Sequence, residues 1–163
     1  MYFEVKMRYK AKEAENQEIT ALRRSLETVL KGLGFCLIEL TVSRHRSSVQ
    51  VRAVIYNGSF IGTDDCSKAH RALMPRLELA FGEQDIYLEV SSPGIDRLIR
   101  DVKEFANYMG KGVRCYRTDI SDWTRGFLES VDENGITIKT NEGTVNLSFD
   151  IIAKAKLDSL QEV

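Results

Sequence analysis

Hydrophobic and polar positions repeat with different periods along this chain, and each change of period marks a change of element. Residues 2–10 alternate, with Phe3, Val5, Met7 and Tyr9 set against Glu4, Lys6, Arg8 and Lys10. A period of two predicts a strand; at a terminus a disordered leader fits as well. From Glu15 to Leu33 the period lengthens. Ile19, Leu22, Leu26, Val29, Leu30 and Leu33 recur at steps of three and four, the stripe of an amphipathic helix, and Gly34 supplies a stop. Phe35 to Val42 and Val49 to Tyr56 are rich in β-branched and aromatic residues. They predict a hairpin across Ser43 to Ser48, closed at its far end by Asn57 and Gly58. Thr63, Asp64 and Asp65 then open a second helix, with the Thr63 hydroxyl as its cap. Its buried side is expected at Cys66, Ala69, Leu73, Leu77 and Ala80, with Pro75 kinking or splitting it and Gly82 ending it. Ile86 to Ser91 forms a third strand. The order α-β-β-α-β predicts two helices on one face of a small mixed sheet, its second and third strands parallel as in split β-α-β units.

Beyond Pro93 and Gly94 the pattern is different. Asp101 with Glu104 reads as a capping box for a short helix carrying Val102, Phe105 and Met109 and stopped by Gly110. Short strands follow at Val113–Thr118, Trp123–Val131, Ile136–Thr140, Thr144–Leu147 and Ala153–Leu157, with a brief helical turn at Phe149–Ile152. Strands this short, broken by Asp, Asn and Gly turns, predict a small closed β-barrel. The fold class expected is α+β, with an α/β domain at residues 1–94 and a barrel domain at residues 95–163. Between them, Pro93 and Gly94 suit the central positions of a type II turn, which requires a positive φ at the glycine.

Composition narrows the function. The chain has 163 residues, 43% of them hydrophobic, enough for one medium or two small domains. No run approaches the ~18 apolar residues of a membrane span, and Glu4, Lys6 and Arg8 interrupt any signal-peptide core. Cys36, Cys66 and Cys115 are far apart and odd in number, as expected for reduced thiols in the cytosol. The net charge is −1. Up to Gly94 there are 13 basic against 12 acidic residues, and after it 10 against 12. Neither half is a polycation, so nucleic-acid contact must come from local patches or through a partner.

Few residues assemble into candidate chemistry. Ser91, Ser92 and Asp96, with His45 and His70, invite a hydrolase reading, but there is no nucleophile elbow and the histidines sit on a hairpin tip and a helix. Local hydrogen bonding that stiffens the turn is the better role for the two serines. Asp64 and Asp65 point in different directions on a helix start and read as solvated carboxylates rather than a metal site. Arg44, His45 and Arg46 form the densest basic cluster, on a hairpin tip suited to phosphate contact or simply to solubility. Arg114, Tyr116, Arg117, Trp123 and Arg125 interleave cations with aromatics on two neighbouring strands, a surface able to stack bases or to grip a peptide.

The segment Leu88 to Arg97, LEVSSPGIDR, resembles the signature of the bacterial ribosome maturation factor RimP family. The likeness continues through the first helix, the hairpin, Thr63 to Cys66, Phe105 to Val113 and Phe149 to Leu157, and so spans residues 15–158. Leu98 departs from the pattern, because the family usually has proline directly after the signature arginine, and residues 1–11 precede the family's usual start. The resemblance implies a KH-like N-terminal domain joined to an SH3-like or Sm-like barrel. It implies a cytoplasmic, non-enzymatic factor for maturation of the small (30S) ribosomal subunit, expected to be a monomer with no cofactor, metal, small-molecule substrate or membrane partner. It would bind the immature particle through rRNA and a ribosomal protein near the decoding centre. Arg44, Arg46, Ser91, Ser92, Asp96 and Arg97 are then candidate ribosome contacts, with Pro93 and Gly94 as the interdomain turn. Arg114, Tyr116, Arg117, Trp123 and Arg125 are candidate contacts for ribosomal protein or RNA. The alternative is a general single-stranded RNA-binding module that uses the barrel.

Overall fold

The computed structural model describes residues 17–58 and 61–158; the strand or leader expected at residues 1–11 lies outside them. The described residues fall into two compact units that meet in sequence at Pro93 and Gly94.

The first unit contains α1 (Gln17–Gly32), β1 (Cys36–Arg44), β2 (Ser48–Tyr56), α2 (Thr63–Phe81) and β3 (Asp85–Ser91). The sheet order is β1-β2-β3, antiparallel between β1 and β2 and parallel between β2 and β3. Leu22, Leu26 and Leu30 of α1 meet Ala69, Leu73 and Leu77 of α2 over Val49, Val51, Ala53 and Ile55 of β2 in one apolar core. Leucines buried this completely each contribute roughly 1.5–3 kcal/mol relative to an exposed position. The helix stripes and the alternation of β2 therefore answer one another, as the periods predicted. The opposite face of the sheet is polar, with Ser43, Gln50 and Tyr87 in register across the three strands.

Three local expectations for α2 change. Its N-cap is Gly62 rather than Thr63, and the Asp65 carboxylate accepts the Gly62 N–H at 3.1 Å. A carboxylate one turn in reaches back to the first orphan donor, so the hydroxyl is not needed. The helix is not split at Pro75, which lies inside one element. Ala80 is exposed and Leu79 is 84% exposed, so the buried stripe ends at Leu77.

The second unit contains a 3-10 helix (Val102–Tyr108), β4 (Gly112–Arg117), β5 (Asp122–Val131), β6 (Gly135–Thr140), β7 (Gly143–Ser148), a 3-10 turn (Phe149–Ile151) and β8 (Ile152–Leu157). Every strand pair is antiparallel, and the order is β7-β6-β5-β4-β8. The expected closed barrel is thus seen as a five-stranded sheet with no β7–β8 ladder among the described residues. The outer edge of β8 is taken instead by the chain entering the unit. Ile99 N–H donates to the Ala155 carbonyl and Leu157 N–H to the Arg97 carbonyl, both at 2.9 Å, which straps residues 97–99 onto β8.

The helix that follows is 3-10 rather than α, and this changes its buried side. Three residues per turn align Val102, Phe105 and Tyr108. Phe105 and Tyr108 are fully buried, and Met109, just past the helix end, is 46% exposed. Asp101 does cap it, accepting the Lys103 N–H at 2.9 Å. The Glu104 side chain is only 4% exposed, and its carboxylate accepts the buried Tyr108 hydroxyl.

Candidate functional site

The elbow between the units is built differently from the turn its sequence suggests. Gly94 does not have a positive φ. The hydrogen bond that closes the turn runs from Arg97 N–H to the Gly94 carbonyl at 3.1 Å, so Ile95 and Asp96 occupy the central positions. Gly94 is the first residue of a turn that any residue type can begin, and the type II assignment is wrong. Ile95 stands 81% exposed at the tip. The serines do not stiffen the elbow either. The Ser91 hydroxyl is buried without a hydrogen-bond partner among the described residues, and Ser92 is exposed.

Arg97 sits inside the second unit. Its Nε donates to Glu104 Oε1 and its Nη2 to Glu104 Oε2 at 3.3 Å, and the side chains of Arg97 and Glu104 are 11% and 4% exposed. The same carboxylate accepts the Tyr108 hydroxyl at 2.9 Å and the Arg100 N–H at 3.4 Å. Burial, with the Glu104 charge beside it, pushes the Tyr108 hydroxyl well above its usual range. This signature arginine is committed to an internal network and is not presented to a partner.

The candidate contacts on the first unit do not form one site. Val49 pairs with Ile86 near the hairpin tip, whereas Val54 pairs with Ser91 beside the elbow. At ~3.3 Å per residue the tip and the elbow stand about 17 Å apart along β2. Arg44 is engaged internally, on the Glu18 carboxylate and over the Phe81 ring at 5.4 Å. Arg46 is exposed at the tip. Asp96 is exposed in the elbow.

The residues expected on the second unit are brought together. In β4 and β5, Arg114 faces Arg125 and Tyr116 faces Trp123 in register. Directly paired residues of an antiparallel ladder share a face, and Val113 and Cys115, which alternate with these on β4, are buried on the other side. The Arg114 guanidinium lies over the Trp123 ring at 5.4 Å, and Tyr116 meets that ring edge-on at 5.5 Å. Trp123 remains 40% exposed. Arg117 leaves the group. It forms a fork to Asp119 at 2.7 and 3.1 Å and holds that carboxyl below its usual range. Arg125 bonds Asp158 at 3.0 Å. Two residues missed in the sequence complete the face: β8 places Lys154 opposite Tyr116 and Lys156 opposite Arg114. The period of two in β8 was visible, but its pairing to β4, some forty residues earlier in the chain, was not.

These features define a two-unit α+β protein whose candidate surfaces are a basic-aromatic sheet face and an elbow whose end is strapped onto β8. Comparison with known proteins gives the family. Residues 25–96 match the RimP N-terminal domain. The chain is 28% identical over 144 residues to a ribosome maturation factor RimP from Borrelia recurrentis (strain A1), covering 88% of this chain and 96% of that protein. It is 29% identical over 143 residues to one from Borrelia hermsii (strain HS1 / DAH), with the same coverage. This chain belongs to the ribosome maturation factor RimP family.

Proposed function

We propose that this chain is a cytoplasmic, non-enzymatic factor in maturation of the small (30S) ribosomal subunit, acting as a monomer on the immature particle. The observation that carries this is the likeness to ribosome maturation factors over 88% of the chain and 96% of the relative, which takes in both units and the elbow. The factor holds rRNA and a ribosomal protein near the decoding centre. Available contacts are Arg46, Ser92 and Asp96 on the first unit and elbow, and the Arg114–Trp123–Tyr116 cluster on the second. Near-neutral net charge suits a factor that must leave, because every neutralised phosphate strengthens binding and its salt dependence. No helix among the described residues is long and apolar enough to cross a membrane.

Sedimentation with purified particles tests this. The protein should travel with immature small subunits and poorly with mature ones. Equal binding to large subunits would overturn the reading.

A further inference from the structure

The second half of the chain carries more acid than base, yet its sheet separates the two signs. Asp119 and Asp122 flank the β4–β5 turn, Asp132 and Glu133 fill the β5–β6 turn, and Glu142 sits in the β6–β7 turn. On the β8–β4–β5 face, Lys156, Arg114 and Arg125 form one cross-strand row, and Lys154, Tyr116 and Trp123 form the next. The face therefore carries four cations and two aromatic rings. The one carboxylate seen on its cations, Asp158, is held by Arg125. Arg114, Lys154 and Lys156 have no carboxylate partner among the described residues.

We propose that this face binds a single-stranded segment of RNA, with Lys154, Lys156 and Arg114 on successive phosphates and a base stacked on Trp123. The proposal deepens the small-subunit reading and rests on it for the source of the RNA. Three observations select RNA over a protein segment. Cations ~4.8 Å apart across neighbouring strands and about 6.6 Å apart along one strand can follow a phosphate backbone. Charge of one sign on a surface favours an anionic partner. The Trp123 ring is half exposed and already oriented by Arg114 and Tyr116, and a pre-positioned ring loses little freedom when a base stacks on it. The net −2 of this half does not oppose binding, because Asp119, Asp132, Glu133 and Glu142 lie in the turns between strands and Glu104 is buried against Arg97.

The test uses the full chain and a fluorescein-labelled single-stranded RNA of mixed sequence, read by anisotropy from 50 to 200 mM salt. Three neutralised phosphates predict a slope of log affinity against log salt of about −2. Replacing both Lys154 and Lys156 with alanine should weaken binding by about tenfold or more and bring the slope to about −0.7. Trp123→Ala should weaken it roughly 5- to 100-fold, and Trp123→Phe should retain most of it. Unchanged thermal melting shows that each variant is folded. Failure of the wild-type chain to bind at 50 mM salt, or an unchanged slope in the double variant, overturns the proposal. So does an equal loss in Tyr87→Ala, which would put the RNA on the other sheet. If the double variant binds RNA normally but loses immature particles, the face takes a ribosomal protein and the proposal fails. Wild-type sedimentation separately decides the small-subunit reading, which survives any of these failures.

Discussion

The Arg97 guanidinium closes on the Glu104 carboxylate within the second unit, and that pair fixes where the elbow ends. Arg97 is the last residue of the signature and Glu104 lies on the 3-10 helix that follows. Removing Arg97 takes the guanidinium away from a Glu104 carboxylate that stays buried beside the Tyr108 hydroxyl. Breaking one side of a buried pair costs about 3–5 kcal/mol. Arg97→Ala should lower the urea midpoint accordingly, and Arg97→Lys should recover only part, because an ammonium cannot supply the fork. Replacing Arg97 and Glu104 together with Met and Leu should cost much less than Arg97→Ala. If Arg97→Ala left stability unchanged and abolished particle binding, the arginine would be a direct contact after all.

Two glycines should respond in opposite ways to alanine. At Gly94 a methyl group would meet only Asp96 Oδ1, at an ordinary 3.7 Å, and φ is not positive. Gly94→Ala should be neutral or stabilise by up to ~1 kcal/mol, by restricting the unfolded chain. At Gly135, where β6 begins beside β7, a Cβ would run into the Leu147 carbonyl oxygen. Backbone on both sides cannot yield cheaply, and Gly135→Ala should cost about 1–3 kcal/mol. Chemical denaturation of both variants in parallel checks the contrast.

The periods of Leu22 to Leu30, of Leu73 and Leu77 and of Val49 to Ile55 carried the first unit, because local amphipathicity and tertiary burial agree there. What escaped the sequence was set by partners distant along the chain. Glu104 reads as a capping residue and nothing more until Arg97 and Tyr108 are seen beside it. Lys154 and Lys156 read as solvated lysines until β8 is paired with β4. Arg44 and Arg117 look free in a list of basic residues, and each is held by a carboxylate. Net charge likewise hides the cluster of Arg114, Arg125, Lys154 and Lys156 on one face.

Cys115 gives stability an alkaline limit. Burial pushes its thiol up to about 12, while an unfolded cysteine ionises near 8.5. Between those values the folded state holds a proton that the unfolded state has lost, so stability falls as pH rises, by at most ~1.4 kcal/mol per unit from this group. Below about pH 8 it has no effect. Urea midpoints at pH 8 and pH 10 should differ more in the wild-type chain than in Cys115→Ala. A thiol reagent at neutral pH should leave Cys115 unmodified while reaching the half-buried Cys36 and Cys66. Modification of native Cys115 as fast as the other two would contradict the burial.

Leu98, which follows the signature arginine, sits in a strap that its neighbours hold onto β8. Leu98 lies opposite Lys156, and the hydrogen bonds are made on either side of it, by the Arg97 carbonyl and the Ile99 N–H. In such a non-hydrogen-bonded antiparallel pair the residue's own N–H points away from the partner strand. A proline at this position therefore gives up no ladder hydrogen bond and sits on a sheet edge, where the residue is tolerated. Leu98→Pro should fold, keep the β8 strap and stabilise the chain by a few tenths to ~1 kcal/mol. Amide exchange at Ile99 and Leu157 reads the strap directly. Protection at both should survive the substitution, and loss of protection at Ile99 with a lowered urea midpoint would show that the leucine side chain, rather than its neighbours' backbone, holds the elbow in place.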